Sequence, residues 1–258
     1  DAGGFDYDEL VFNFSGVRGV DVGLPTPLNI ALGLETRYES YSIHAGEPDS
    51  YRNGGALLPS GAPTAPGAQV FPGFRPANAV DKSRTAAGVY ADLESRITEK
   101  FLASAAVREE RYSDFGTDLS GKLALRYDFA DAFALRGSVQ NGFRAPALQQ
   151  QYFATTSTNF IGGVPFDITT FPATHPVAAA LGAKPLTAEK SVNYSVGAVI
   201  RAAKLDVTVD AYRINVTNRI VLSENLTQAN VRNYLTGLGF TGVGGGRFFI
   251  NGVDTRTS

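Results

Sequence analysis

The chain has 258 residues with no Cys, Met or Trp, and its 23 Lys and Arg against 25 Asp and Glu give a net charge of −2 at pH 7. The absence of cysteine excludes disulfides and thiolate metal sites, and the balanced charge argues against a nucleic-acid partner. No apolar run approaches the roughly 20 residues of a membrane helix, so the chain could cross a membrane only as strands.

Strict alternation of apolar and polar residues indicates a strand with one face of each kind. In the first half of the chain, alternation predicts strands over residues 28–39, 89–97 and 101–110, after a less regular strand at about 7–14. A short turn at 98–100 joins two of these strands into a hairpin.

The second half repeats the pattern. Alternation predicts strands over residues 119–129, 133–140, 187–201 and 204–216, and an unfinished strand near 248–253. Short turns at 130–132 and 202–204 join them in pairs. The sequence therefore predicts about eight strands plus one incomplete strand.

Long connections alternate with these short turns. They cover residues 43–84, 142–185 and 219–246, and only the connection at 113–118 departs from the rule. Long loops at one end and short turns at the other are typical of an outer-membrane barrel. We therefore predict an all-β fold, an antiparallel up-and-down transmembrane β-barrel that is partial.

The polar face of these strands is expected to line a water-filled lumen. The residues predicted to face the lumen are Arg37, Arg108, Glu110, Arg126, Asp128, Arg136 and Gln140. Alternation alone also fits a soluble β-sandwich binding module, whose apolar face would pack on a second sheet. The strands at 187–201 and 204–216 favour the barrel, because strands of globular sheets usually run about 5 to 6 residues.

Residues 131–153 read DAFALRGSVQNGFRAPALQQQYF. This segment resembles a barrel hairpin and the following loop of TonB-dependent receptors, in which a GFRAP-type run ends the rising strand. The segments at 112–129, 186–199 and 210–226 are similar to neighbouring strands of that family. The resemblance implies a place in the bacterial outer membrane, in contact with its lipid, and uptake of a siderophore, cobalamin or glycan.

The family's barrels have about 22 strands and an N-terminal plug domain. We expect residues 1–258 to form one partial barrel domain with the plug absent, because no mixed α/β segment or energy-coupling sequence is found near Asp1. Both ends look cut. By this resemblance TonB would be contacted through the missing plug.

The candidates for ligand contact lie in the connection after the GFRAP run. They are Arg144, Gln149, Gln150, Gln151 and Tyr152. A guanidinium group beside amides suits carboxylate- or hydroxyl-rich small molecules or glycans at a loop mouth, and an aromatic ring can stack on a ligand. A role in folding the loop is the alternative for the same residues.

No catalytic residue, metal site or cofactor is predicted. The chain has no G-x-S-x-G, P-loop or H-E-x-x-H motif. Its only histidines, His44 and His175, fall in predicted long loops. The rival hypothesis is an esterase-like hydrolase that uses a loop serine with one of these histidines.

Overall fold

A computed structural model describes residues 1–61, 64–67, 72–161, 164–202 and 204–258. Most of these residues are in strands, because alternating sequences pair their backbones along almost their whole length. The strands are β1 (Gly3–Val20), β2 (Leu28–Ala45), β3 (Val80–Thr98), β4 (Phe101–Tyr112), β5 (Gly116–Ala130), β6 (Phe133–Arg144), β7 (Thr155–Ile161), β8 (Val164–Thr170), β9 (Glu189–Ala202), β10 (Leu205–Leu222), β11 (Gly245–Arg247) and β12 (Phe249–Thr257).

Nine of these strands form one antiparallel sheet in the order β1-β2-β3-β4-β5-β6-β9-β10-β12. Every neighbour in the sheet is also the next strand of that set along the chain, which is the up-and-down topology that the sequence predicts. The sheet is open, with β1 at one end and β12 at the other. A separate three-stranded sheet of β11, β8 and β7 belongs to the long connections.

The register gives the large sheet two chemically different faces. One row of paired residues crosses six strands and is entirely apolar: Ile30, Leu93, Ala105, Leu123, Val139 and Tyr194. The row on the opposite face contains Asn29, Glu94, Ser104, Ala124, Ser138 and Ser195. We call these the apolar face and the charged face of the sheet.

The apolar face is uncovered. Leu93 is 42% exposed, Leu123 46% and Val196 58%, and within the described ranges no second sheet packs on this face. The soluble β-sandwich hypothesis is therefore wrong, since a sandwich buries the apolar faces of its two sheets against each other.

Most of the predicted strands are correct in position but too short on the long-loop side. The exceptions are β1, which is longer than predicted at both ends, and β9, which begins at Glu189, two residues after its predicted start. β2 continues to Ala45 and β3 begins at Val80, so the first long connection covers residues 46–79 rather than 43–84. Backbone pairing continues where the alternation changes, because the ladder needs only N–H and C=O groups. Ala203, the middle residue of one predicted turn, lies outside the described residues.

β10 continues to Leu222, into a segment predicted as loop. Its pairing with β12 is irregular between Val216 and Ile220, and Asn218 has a φ of 56°. An extra residue in one strand breaks the strict alternation, which explains why the sequence pattern ends before the strand does.

The long connections carry three short helices: α1 (Leu148–Tyr152), α2 (Pro176–Ala180) and α3 (Ala229–Gly237). None of the described helices is long and apolar enough to cross a membrane. Two hydrophobic clusters lie here. One joins Phe171, Val177, Ala178, Leu235 and Phe248, and the other joins Tyr41, Ile43, Phe74 and Leu148. The buried core thus sits at the long-loop end of the sheet.

Candidate ligand-binding site

Ion pairs run across the charged face, both within single strands and between strands. Arg37 lies 2.9 Å from Glu35 and 3.3 Å from Glu9, and Arg108 lies 3.2 Å from Glu35 and also contacts Glu110. These side chains are between 16% and 37% exposed, so water reaches the pairs and each contributes little stability by itself. The result is a hydrated surface rich in fixed donors and acceptors.

The same arrangement continues across the middle strands. Asp128 accepts hydrogen bonds from Arg126 at 2.8 Å and from Arg96 at 2.9 Å. Arg136 of β6 reaches over β9 to Asp210 of β10, donating to its two carboxylate oxygens at 2.8 and 2.7 Å. Gly197 leaves the space for this pair, because a Cβ there would lie 2.0 Å from the Asp210 carboxylate.

All seven residues predicted to face the lumen lie on the charged face. Their register pairs show it: Arg37 with Ala86, Glu110 with Asp118, and Gln140 with Lys122 and Asn193.

A buried ion pair marks the end of the charged face nearest the long loops. The side chains of Arg84 and Glu39 are only 4% and 7% exposed, and their closest atoms are 2.7 Å apart. Arg84 also donates to the Pro146 carbonyl at 2.8 Å, and its guanidinium lies 5.2 Å from the centre of the Tyr112 ring. Tyr7 donates to Glu39 at 2.8 Å. The burial of two charges is tolerated because each finds several partners.

Two of the predicted ligand-contact residues make hydrogen bonds within the loop region. Gln150 accepts from the Ala147 N–H at 3.0 Å, at the start of α1. Gln151 donates to Asp114 at 3.0 Å and to the Pro146 carbonyl at 3.2 Å. Together with the Arg84 contact to Pro146, these bonds fix the loop that follows β6.

The other three predicted contact residues make fewer hydrogen bonds. Arg144 is 61% exposed, with one hydrogen bond to Glu189 at 2.7 Å, and Glu189 in turn accepts from the Ile220 N–H at 2.7 Å. Gln149 is partly exposed. Tyr152 packs against the second hydrophobic cluster, and the Lys82 ammonium lies 5.7 Å from its ring centre. Their role in ligand contact stays a prediction.

Long-range contacts tie the loops to one another above this site. Arg75, which precedes β3, donates to Asp167 of β8 at 2.8 Å, and Phe74 packs edge to face on Phe153 at 6.4 Å between ring centres. Neither Arg75 nor the Arg84 and Glu39 pair was singled out from the sequence. Glu39 and Arg84 do keep the charged-face parity of β2 and β3, a signal that continues beyond the apolar residues.

Neither histidine has the surroundings of a catalytic base. His44 was predicted in a loop but lies in β2, where Nε2 is 3.1 Å from the Ser42 hydroxyl and 3.0 Å from Asp6. A hydrolase triad uses the two ring nitrogens separately, one for the serine and one for the carboxylate. Here both partners meet the same nitrogen. Within the described ranges, no three His, Asp or Glu residues are grouped as metal ligands.

His175 precedes α2, and its Nδ1 accepts a hydrogen bond from the Val177 N–H at 3.2 Å. Its ring stacks on Phe171 with 4.6 Å between centres. Burial lowers the pKa of His175 below its usual value, which keeps the ring neutral and able to accept this bond. It therefore caps a helix.

A single-layer antiparallel sheet with an exposed apolar face, an ion-paired opposite face and long loops at one end defines an outer-membrane β-barrel wall. The family model described as "TonB dependent receptor-like, beta-barrel" matches residues 2–255. The chain belongs to this family, and the resemblance carried by the GFRAP segment is confirmed.

Solved structures of the same architecture support the assignment. The siderophore receptor PirA from Pseudomonas aeruginosa is 14% identical with a TM-score of 0.67, over 98% of this chain and 38% of that one. PirA from Acinetobacter baumannii is 16% identical with a TM-score of 0.62, over 98% and 33%. A ferric enterobactin receptor (PfeA) mutant from Pseudomonas aeruginosa is 13% identical with a TM-score of 0.65, over 98% and 32%.

The chain spans about a third of the length of these structures, and a comparison with curated proteins gives no match. Barrels of this family lie in the outer membrane of Gram-negative bacteria, which is therefore the location of this chain. The family consists of transport receptors and not of enzymes.

Proposed function

We propose that the chain forms part of the wall of an outer-membrane receptor that takes up an iron-siderophore with energy delivered through TonB. The observation that carries this proposal is the charged face, which ends beneath a folded cluster of long loops. The siderophore class is preferred over cobalamin or a glycan because similar structures are of a siderophore receptor and a ferric enterobactin receptor.

In this proposal the charged face lines the lumen and the apolar face meets lipid. The strands that would continue from β1 and β12 complete the barrel, since each of these end strands has one unpaired side and an uncovered edge invites pairing. Residues 1–258 then constitute one partial barrel domain. TonB acts through a plug domain that is not among these residues.

Ligand contact is assigned to the exposed part of the loop after β6. Arg144 offers guanidinium N–H groups beyond its single bond to Glu189, and a guanidinium suits an anionic ferric complex. Gln149 and Tyr152 follow it in the sequence, on α1. Gln150 and Gln151 act indirectly, because their bonds hold that helix in place.

The test is binding and uptake of a labelled ferric siderophore by cells that carry the full-length receptor. We expect Arg144→Gln to weaken ligand binding by about tenfold or more, the loss typical of one charge-assisted hydrogen bond. Arg213→Gln is the matched control, because Arg213 is an exposed arginine on the apolar side of β10, and we expect no change in binding.

Binding of cobalamin or an oligosaccharide in place of ferric siderophores would overturn the ligand class. Ester hydrolysis that is lost in His44→Ala or His175→Ala would overturn the proposed transport function. Because no catalytic step is assigned to the chain, we expect no turnover of ester substrates above background.

A further inference from the structure

A hollow of about 540 Å³ lies in the middle of the charged face, between β3 and β10. Its floor consists of small side chains from one cross-strand row: Ser104, Ala124, Ser138 and Ser195. Glu94 lies at the β3 end of this row and Tyr212 at the β10 end. Because no floor residue is larger than serine, the wall leaves open space here on its polar side.

Ion pairs close the short-turn side of the hollow. Arg126 donates to Asp128 at 2.8 Å, and Arg136 donates to Asp210 at 2.7 Å. Both guanidinium groups are therefore neutralised by carboxylates of the wall. They shape the rim of the hollow without leaving an unpaired charge.

The long-loop side of the hollow differs, because its charge is unpaired. Lys122 of β5 is exposed and makes no hydrogen bond or ion pair with any residue that the structure describes. Its register neighbours on β4 and β6 are Ala106 and Gln140, which are uncharged. One strand further, the Asn193 side-chain oxygen is buried and has no hydrogen-bond donor. This side therefore contains a cation and an amide that the wall itself does not satisfy.

Two carboxylates lie at the β3 margin, too far away to neutralise Lys122. Asp92 shares a register row with Lys122, but β4 lies between them, which puts the two backbones about 10 Å apart. Among the described residues, neither Asp92 nor Glu94 has an ion pair. The middle of the charged face is thus negative along β3 and positive at β5, so an anion would be attracted to the side of β5 to β9.

The unpaired charges decide how a plug would meet this wall. A plug surface packed tightly on the hollow would bury Lys122, Asp92 and Glu94, and burying a charge without a partner is costly. The ion pairs around Arg37 and Arg108 carry no such cost, because their charges are already matched. The hollow is therefore the part of the charged face best suited to remain in water beside a plug.

We propose that the hollow is a charge-selective part of the passage through the lumen, in which Lys122 favours anionic complexes. This role rests on the proposed function, in which the charged face lines the lumen of an uptake receptor. The Lys122 ammonium attracts the anion, while the Gln140 amide and the Ser138 hydroxyl supply hydrogen bonds to its oxygens. One free cation among hydroxyls binds weakly, and weak contacts suit a passage because the solute must also leave it. The complex is then selected by charge a second time, after its contact with the loops.

The experiment compares binding and uptake of an anionic ferric tris-catecholate complex by cells that carry the full-length receptor. Lys122→Gln should lower the maximal uptake rate by about fivefold and leave the binding affinity at the cell surface unchanged. Lys122→Arg keeps the charge and should keep the uptake rate. Lys204→Gln removes an exposed lysine from the turn between β9 and β10, and as the matched control it should change neither quantity.

Substitutions at Ser138 test the hollow independently of charge. Ser138→Trp fills the floor and should slow uptake without weakening binding, whereas Ser138→Ala should have no effect. Ser138→Cys, in a receptor without other cysteines, should react with a water-soluble thiol reagent before uptake begins. Protection of that cysteine would show that the plug packs on the hollow, and would overturn the proposed passage.

The outcomes separate this role from the proposed function. Uptake that is equal in the unmodified receptor, Lys122→Gln and Ser138→Trp would overturn the charge-selective passage and leave the transport function intact. Uptake of only a neutral ferric tris-hydroxamate complex would have the same meaning. A receptor that takes up neither ferric complex would overturn the proposed function, and the passage with it.

Discussion

The two ends of the nine-stranded sheet are built in different ways. At the short-turn end the sheet is a single layer with an exposed aromatic group, in which Phe129 lies 4.7 Å from Tyr127 and 5.6 Å from Phe133 between ring centres. At the long-loop end, buried residues such as Ile43, Leu148 and Arg84 form a packed core. The first end resembles a barrel wall in lipid, and the second a small soluble protein.

The difference shows which interactions stabilise each end of the sheet. In the wall, backbone hydrogen bonds and contact with lipid take the place of a hydrophobic core. A single side chain there therefore contributes little to stability, unless a substitution places a charged group in lipid. In the loop cluster, packing and buried hydrogen bonds are responsible, as in water-soluble proteins. The same kind of substitution should therefore change the free energy of unfolding by different amounts at the two ends.

The largest effect is expected for Arg84→Leu. It leaves the Glu39 carboxylate buried without its main partner and removes the donor to the Pro146 carbonyl, at a cost of about 3 to 5 kcal/mol to the loop cluster. Limited proteolysis of residues 145–155 and thermal unfolding measure it. Arg136→Leu is the control, because the side chains of the Arg136 and Asp210 pair are both 46% exposed. A comparable loss of stability in this variant would contradict the difference between the two ends.

Leu148→Ala tests the packing of the loop core. Leu148 is 1% exposed, and truncation of a buried leucine costs about 2 to 5 kcal/mol. Leu123→Ala, on the apolar face at 46% exposure, should cost far less in a lipid or detergent environment. Urea unfolding of both variants in detergent compares them, and equal losses would show that the loop cluster is not a core.

A lysine on the wall tests which face meets lipid. Leu93→Lys should destabilise the barrel by about 2 to 4 kcal/mol, the cost of a lysine near the bilayer midplane. Ser104→Lys is the matched change on the charged face, next to Glu94, and should be nearly neutral. Folding equilibria in lipid vesicles give both numbers. The reverse order would mean that the faces are assigned wrongly.

The smallest expected effect is the pH dependence of the hydrogen bond between His175 and the Val177 N–H at the start of α2. The lowered pKa of His175 means that the unfolded loop binds a proton more readily than the folded one. Stability from the neutral ring is therefore complete above the usual histidine pKa of about 6.5 and is lost as the pH falls below it. Hydrogen exchange of the Val177 amide should speed up on acidification. His175→Asn keeps a capping oxygen without titrating in this range, so its exchange should lack that dependence.

The strands of the wall were predictable because apolar and polar residues alternate along them with a period of two residues. The alternation in residues 119–129 and 133–140 predicted the correct strands, faces and turn. Successive side chains of a strand point to opposite faces, and here one face is apolar and the other polar. The GFRAP segment added the family. The strand ends were missed where the alternation reverses, as in β2, where Ser40 and Ser42 lie on the apolar face and Tyr41 and Ile43 on the charged face, while the ladder continues.

The site was less predictable because it depends on contacts between distant segments. The segment at residues 144–152 was identified, but nothing local showed that Gln151 would bind Asp114 or that Arg84 would bind the Pro146 carbonyl. Such bonds join residues 37 and 62 positions apart, and no periodicity encodes them. The absence of a plug domain and the ligand contacts remain predictions.

We propose that the apolar face meets lipid while the charged face lines a watery lumen. Since the chain contains no cysteine, single cysteines at Leu32, Leu93 and Leu125 can be compared with ones at Arg37, Glu110 and Gln140 in outer membranes. We predict that a fluorophore at the first set is quenched by bromolipids, and that only the second set reacts with a water-soluble thiol reagent. Equal quenching and equal reactivity of the two sets would contradict the account.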